Sequence, residues 1–242
     1  MKATPSDQLQ ILDVQRMDFH VATLTNKAAA LPEIAELLTT TNRLQVVRDL
    51  CIAAQTQISD IKRELSRSEG DVEQVVTRLE RDEKRLNDGS TAAKDLERLQ
   101  HEVATLAGRR AELEEIELEI MMRIDSVKER LEELRAEETI LVAQAEEIGA
   151  RKDAALGVIT ADIAATSAER LATVQGIDGA LVDLYEKIRS NGGNGAAAFR
   201  GGTCEGCHLP VNSVEIGRIK TAPSDEVVRC EECRCILVRG AQ

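Results

Sequence analysis

The sequence predicts a mostly α-helical protein, a long antiparallel coiled-coil hairpin followed by a small C-terminal β domain. Three observations support this fold class. The 242 residues include only two Phe, one Tyr and no Trp, and a chain so poor in aromatic side chains rarely fills a wide globular core. No Pro lies between positions 33 and 209, so long uninterrupted helices are allowed there. Five of the six cysteines lie within residues 204–235, which sets the C-terminal segment apart.

A first helix is expected at about residues 6–29, where Ser6 can accept a hydrogen bond from a free backbone N–H as the N-cap. The helix is then interrupted at Leu31-Pro32. A residue before Pro is pushed out of helical geometry, whereas Pro itself suits the first turn of a helix. A second helix is therefore expected at about 33–87.

Apolar residues then recur at steps of three and four through the second helix and through a third, at about 92–189. The stripe of the second helix includes Val46, Leu50, Ala54, Ile58, Ile61, Leu65, Val72, Val75, Leu79 and Leu86, and that of the third includes Leu99, Val103, Leu106, Leu113, Ile116, Ile120, Ile124, Val127, Leu131 and Leu134. Such spacing keeps one seam facing a partner helix. Between the stripes, Asn-Asp-Gly-Ser-Thr at 87–91 favours a turn, which we interpret as the tip of the hairpin.

The third helix is nearly twice as long as the second, so its lower part, about 148–189, needs another partner. The helix at 6–29 is the one available. Gly157, Gly176 and Gly179 weaken this lower part, and a kink or a break is expected there. The residues at 191–202 are rich in Gly and are interpreted as a linker.

Two C-x-x-C motifs define the last predicted domain, at 203–242. Cys204 and Cys207 form the first pair, and Cys230 and Cys233 form the second, with 22 residues between the pairs. Each pair can aim two sulfurs at one point, and two pairs complete the tetrahedral thiolate shell of a structural zinc site. A segment of this size buries too little apolar surface to fold alone, so zinc is expected to stabilise it. The sequence therefore predicts a zinc ribbon that holds one structural Zn²⁺, with strands expected at 211–219, 227–228 and 236–238.

Three further side chains could have a function, but we expect each of them to be structural. Cys235 directly follows the second pair and is expected to be a small strand residue, although a swapped ligand or a redox-sensitive thiol is the alternative. His208 follows Cys207 and is expected to be a neighbour that does not bind the metal, because four cysteines suffice. Cys51 is expected to pack in the helical seam.

The charge and the absence of complete catalytic motifs restrict the functions that are expected of this protein. The net charge of −12 lies entirely within residues 1–199, because six basic and six acidic residues balance in 200–242. An acidic surface repels phosphate backbones. No secretory or membrane-spanning segment is recognisable, so a cytoplasmic protein without a membrane partner is expected. No catalytic motif is complete, since His101-Glu102 lacks the second His of a zinc protease, and we expect no enzyme activity.

The C-terminal third resembles a bacterial family of coiled-coil proteins with a C4-type zinc ribbon, long described as a domain of unknown function. The likeness is carried by Leu-Tyr-Glu-Lys-Ile-Arg at 184–189, by the segments 204–210 and 225–233, and by 95–102. The resemblance implies a helical hairpin that ends in a zinc ribbon and carries the four cysteines over as metal ligands. It also implies a protein partner in transcription or in the secretion or flagellar machinery, or else an RNA partner. Members often have Gly-Arg after the last ligand, where this chain has Arg234-Cys235.

Two functions are expected from these features. The first is an adaptor that binds a protein partner, because residues 112–150 carry four basic and thirteen acidic side chains and would attract a basic surface. The alternative is a regulator that binds RNA or DNA through the ribbon and the tip region 76–110, where eight basic residues balance seven acidic ones. A scaffold without a dedicated ligand is a third possibility. The sequence leaves the choice between monomer and dimer open.

Overall fold

The computed structural model describes residues 1–88 and 92–240. The helices in these ranges are α1 (Pro5–Ala29), α2 (Pro32–Asn87), α3 (Ala93–Gln175), α4 (Gly179–Arg189) and α5 (Ser213–Thr221). The strands are β1 (Ala196–Arg200), β2 (Thr203–Cys204), β3 (Val228–Arg229) and β4 (Ile236–Val238). None of the described helices combines the length and the apolar character that a membrane span requires. The predicted fold class, long helices in a coiled-coil hairpin with a small C-terminal β region, is confirmed.

The chain divides into two compact units. The first, unit 1, consists of Met1–Ile34 and Ala150–Gln242, and the second, unit 2, is Ala35–Gly149. Unit 2 contains the hairpin seam, and unit 1 contains α1, α4 and all the described strands.

In unit 2, α2 and α3 run antiparallel along a narrow apolar seam. One cluster packs Val47, Cys51 and Ala54 against Leu131 and Leu134, and a second packs Ile61 against Ile120 and Ile124. Residue numbers therefore rise along α2 while those of their partners on α3 fall, as in a hairpin. Cys51 is a packing residue, as predicted. α2 ends at Asn87 and α3 begins at Ala93. Of the predicted turn at 87–91, residues 89–91 lie outside the described residues.

The helix ends in unit 1 differ from the predicted ones in two places. α1 begins at Pro5, and the N-cap is Thr4, whose hydroxyl accepts a hydrogen bond from the Asp7 N–H at 3.1 Å, so the prediction of Ser6 as the cap was wrong. The single helix predicted at 92–189 is broken between Gln175 and Gly179. Asp178 provides the physical reason, because its carboxylate accepts hydrogen bonds from the backbone N–H groups of Ala180 and Leu181 and so caps a new helix, α4.

The segment interpreted as a linker, 191–202, contains β1 and is part of the sheet. The strand order is β2-β1-β4-β3, in which β1 pairs parallel to β4 and the other pairs are antiparallel. Three consecutive alanines at the start of β1 are buried, and Gln15 of α1 accepts hydrogen bonds from the N–H groups of Gly195 and Ala196 at 2.7 and 3.2 Å. The ribbon is therefore fastened to the helices of unit 1 directly, and the linker prediction was wrong.

A second correction concerns 211–219, where a strand was expected. The segment Ser213–Thr221 is helical, and Asn212 caps it by accepting a hydrogen bond from the Val214 N–H at 2.9 Å. Burial follows a helical spacing, since Glu215 and Ile219 are both buried four residues apart. The expected strand at 236–238 is present as β4, and β3 begins at Val228.

Candidate metal centre

The two C-x-x-C motifs meet beside the sheet of unit 1. Cys204 lies in β2, and Cys230 and Cys233 lie between β3 and β4. The Sγ atoms of Cys204, Cys207, Cys230 and Cys233 all lie within 4.8 Å of one another, and no other such cluster of His, Cys, Asp or Glu occurs among the described residues. The folded chain thus brings together all four cysteines that the sequence singled out.

The spacing of the sulfurs fits a zinc ion. Four ligands at a Zn–S distance of about 2.3 Å around a tetrahedral centre lie roughly 3.8 Å apart. The Sγ atoms of Cys204 and Cys233 are 3.8 Å apart, and those of Cys207 and Cys230 are 3.9 Å apart. Cys204 and Cys230 are buried, whereas Cys207 and Cys233 are half-buried. The site is a structural zinc centre in which the protein supplies every ligand.

Each motif is closed by the same backbone turn. The N–H of His208 donates to the Cys204 carbonyl at 2.8 Å, and the N–H of Arg234 donates to the Cys230 carbonyl at 3.0 Å. The residue that closes each turn is left-handed, with φ of 60° at His208 and 66° at Arg234. Glycine adopts this conformation without strain. Arg234 therefore occupies, at some steric cost, the position where the resembling family often has Gly.

Burial shapes the chemistry of the sulfurs. Removal from water raises the pKa of the Cys204 thiol to about 12. A buried thiolate is unfavourable by itself, and a coordinated cation supplies the charge that stabilises it. When zinc binds, the four cysteines hold it as thiolates and release their protons. The side chain of His208 is not part of the sulfur cluster, in agreement with its interpretation as a neighbour.

Cys235 lies closer to the cluster than the sequence suggested. Its Sγ atom is 3.3 Å from that of Cys233 and 3.6 Å from that of Cys204, and the residue is fully buried. Burial raises the pKa of the Cys235 thiol, so it is held protonated. Cys235 also restricts the first motif, because a Cβ at Gly206 would lie 3.3 Å from its sulfur and 2.9 Å from the Cβ of Ala197. Only glycine fits there without displacement.

The cationic side chains near the cysteines have other partners. Arg229 donates through Nε to the Arg234 carbonyl at 2.9 Å and so braces the second turn. Arg200 forms an ion pair with Glu205 at 3.5 Å. Arg239, which no sequence motif marks, donates to the carbonyls of Ile219, Ala222, Pro223 and Glu226 and closes the end of α5. These arginines stabilise the fold of the ribbon.

A buried polar network joins three helices of unit 1 and was also missed from sequence. The Asp18 carboxylate accepts hydrogen bonds from the Tyr185 hydroxyl at 2.7 Å and from Arg170 Nε at 2.6 Å, and Arg189 lies 3.3 Å from it. Asp18 and Tyr185 are buried. Desolvation, with the bond to Asp18, raises the pKa of Tyr185, so its hydroxyl stays protonated and donates. This network fixes α4, from which the chain enters β1.

A helical hairpin that ends in a metal-binding ribbon defines a class of zinc proteins, and comparisons with known proteins identify the family. A model described as the CT398-like coiled coil hairpin domain matches residues 14–193, and one described as the C4-type zinc ribbon domain matches 203–237. The chain belongs to the CT398-like hairpin family, and it binds zinc through the C-terminal ribbon.

The similar proteins come from several bacteria. An uncharacterized protein of Mycobacterium tuberculosis, Rv2229c, is 32% identical over 246 residues, which cover 99% of this chain and 98% of that protein. A solved structure from Mycobacterium smegmatis is 33% identical, with a TM-score of 0.88 over 99% of this chain and 100% of the other. The structure of CT398 from Chlamydia trachomatis shares the fold at 16% identity, with a TM-score of 0.73 over 97% of this chain and 98% of the other.

Proposed function

We propose that this protein is a cytoplasmic, non-enzymatic adaptor that binds a basic protein partner through the part of its coiled coil that α3 contributes to unit 2 at residues 112–149. The observation that carries the proposal is the excess negative charge of residues 112–150, which carry four basic and thirteen acidic side chains; four of the acidic ones pair with arginines outside the segment. Opposite charges steer a basic surface toward such a segment. Zinc has a structural role in this proposal, because four thiolates leave it no open position for a substrate.

The ion pairs of this segment strengthen the argument. Each of its four basic side chains already has an acidic partner, in the pairs Arg123–Glu64, Lys128–Asp125, Arg130–Glu133 and Arg135–Glu132 at 2.8–3.0 Å. Within the described part of the chain, exposed Glu115, Glu119 and Glu129 have no such partner. These three carboxylates are available to a cation on another molecule.

The same pairing argues against the alternative, a regulator that binds nucleic acid through the tip region 76–110. Arg78 forms an ion pair with Glu102, and Arg109 and Arg110 pair with Glu112 and Glu114 at 2.9 and 2.7 Å. A carboxylate beside each arginine lowers the positive potential that a phosphate backbone would meet. Filter binding of RNA and DNA across a salt series tests this alternative, and we expect no retention at any salt concentration.

The experiment for the adaptor compares two triple variants of the full-length, zinc-loaded protein. In one, Glu115, Glu119 and Glu129 are replaced by Lys. In the control, the exposed residues Glu69, Glu73 and Glu80 are replaced by Lys, which changes the net charge equally. Proteins captured from an extract of the source cells are identified by mass spectrometry. We expect the first variant to lose partners that the wild type and the control retain. Equal recovery by both variants contradicts the proposal.

A further inference from the structure

An apolar pair lies on the side of α3 that faces away from the seam. At about 100° per residue, Leu118 and Met122 each lie roughly 160° around the helix from the buried Ile120. Leu118 is 61% exposed and Met122 is 71% exposed, and the neighbouring Met121 is 46% exposed. Single exposed apolar residues are normal on a protein surface, whereas three within five positions form a patch that a partner can cover.

Three of the residues in line with this pair are acidic. One exposed row along α3, which we call the outer row, comprises Ala111, Glu115, Leu118, Met122, Asp125 and Glu129. The spacing within the row alternates between four and three residues, which is the spacing that lets one helix lie along another. The outer row contains no Lys or Arg. Its acidic residues are Glu115, Asp125 and Glu129, and because Asp125 is paired with Lys128 at 2.8 Å, Glu115 and Glu129 carry the free negative charge on either side of the apolar centre.

The charge decides which occupant fits. A second copy of this chain would bring acidic rows together, and like charges in contact oppose association. A nucleic acid or an anionic lipid surface is repelled for the same reason. A helix with a basic and an apolar face matches both properties of the row, because its apolar side chains cover Leu118 and Met122 while its cations meet Glu115 and Glu129. Met suits this use, since its flexible thioether adapts to different partners.

We propose that the outer row of α3 is a docking surface for a basic amphipathic helix of a partner protein. The inference rests on the proposed adaptor function and names the segment of the partner that the adaptor recognises. The row from Glu115 to Glu129 extends roughly 21 Å at about 1.5 Å per residue, so a partner helix of about four turns covers it. Leu118 and Met122 supply the apolar contact area, and the carboxylates orient the partner helix and accelerate its association.

The test uses a synthetic helical peptide with Leu on one face and Lys on the flanks, and a scrambled peptide of the same composition. Binding to the full-length, zinc-loaded protein is measured by fluorescence anisotropy. The variant carries Leu118→Gln and Met122→Gln, and the control carries Leu38→Gln and Ile52→Gln, which are 61% and 62% exposed on α2 of the same unit. Circular dichroism at increasing temperature verifies that both variants fold.

We expect the amphipathic peptide to bind the outer-row variant about tenfold or more weakly than the control, and the scrambled peptide to bind neither tightly. Equal affinity for the two variants, or no measurable binding of the amphipathic peptide to wild type, overturns the inference. The charge-reversal pull-down reports separately on the adaptor function. If capture of partners depends on Glu115, Glu119 and Glu129 but not on Leu118 and Met122, the adaptor function is supported and the docking of a helix on the outer row is contradicted.

Discussion

The two compact units are stabilised in different ways. In unit 1, α1, α4, β1 and β4 contribute to one apolar core around Tyr185, and a second core contains the cysteines. In unit 2, small clusters such as Val47 with Leu131 follow one another along two helices. The stability of a core built from distant parts of the chain depends on every contact between those parts, whereas the stability of a two-helix seam is distributed along its length. Single substitutions should therefore have larger effects in unit 1.

Removal of the metal should have the largest effect. Replacing Cys204 by Ser takes away one of the four thiolates, and zinc contributes on the order of 10 kcal/mol to the folding of such domains. We expect the variant to lose its zinc, as measured by elemental analysis. Because β1 and β4 belong to the same core as Ile11 and Tyr185, their amides should also lose protection from hydrogen exchange.

Two further cysteine variants are the controls for this loss of zinc. Cys51→Ser changes a buried cysteine of unit 2 and should leave the zinc content at one ion per chain. Cys235→Ser should also retain zinc, because Cys235 stands outside the set of four sulfurs. Loss of zinc from the Cys235 variant would contradict the assignment of the four ligands.

The buried network of unit 1 is the next most sensitive point. Asp18→Ala removes the acceptor of the Tyr185 hydroxyl and the partner of Arg170, and leaves both without that bond. Breaking a buried pair on one side costs about 3–5 kcal/mol. Asp13→Ala on the same helix is the control, because Asp13 is half-buried and forms a partly exposed ion pair with Arg16 at 2.8 Å, which is worth about 1 kcal/mol or less. Urea denaturation of the zinc-loaded protein should show a clear difference between the two variants.

The sequence predicted the seam and the metal ligands because both are encoded locally. Apolar residues at steps of three and four specify a helix pair, and each C-x-x-C brings two ligands to one point whatever surrounds it. The contacts between distant segments of unit 1 have no such local signal. Asp18 and Tyr185 meet across 167 positions of the chain, and nothing near either of them indicates the other.

The wrongly predicted segments differ in whether the sequence near them contains a signal for the correct structure. The alanines of β1 follow a Gly-rich stretch, and their burial depends on pairing with β4, which lies forty residues further along. For α5, the Asn-Ser start and the spacing of Glu215 and Ile219 were helical signals within a region interpreted as strand. The break before α4 was among the expected possibilities, and the cap supplied by Asp178 makes it a break rather than a kink.

A substitution in the seam of unit 2 should have a smaller and more local effect. Leu134 is 3% exposed within the cluster around Val47. Leu134→Ala removes buried methyl groups and leaves a cavity, which costs about 2–4 kcal/mol. Hydrogen exchange should rise for amides of 35–149 near the cluster and stay unchanged in β1 and β4. Leu118→Ala, on the exposed outer row, is the control and should change exchange little. Spread of the effect into the ribbon would show that the units do not unfold separately.

The smallest expected effect is a gain in stability at the second metal-binding turn. Arg234 holds a φ of 66°, where any residue with a Cβ is strained and Gly is not. Arg234→Gly should therefore stabilise the zinc-bound ribbon by about 1 kcal/mol, since the carbonyl that accepts from Arg229 is retained. Zinc transfer to a competing chelator measures the change. Arg234→Ala separates the two possible causes, because it removes the charge but keeps the Cβ. A gain in the Gly variant alone assigns the effect to the backbone, whereas an equal gain in both variants assigns it to the lost cation and contradicts the strain argument.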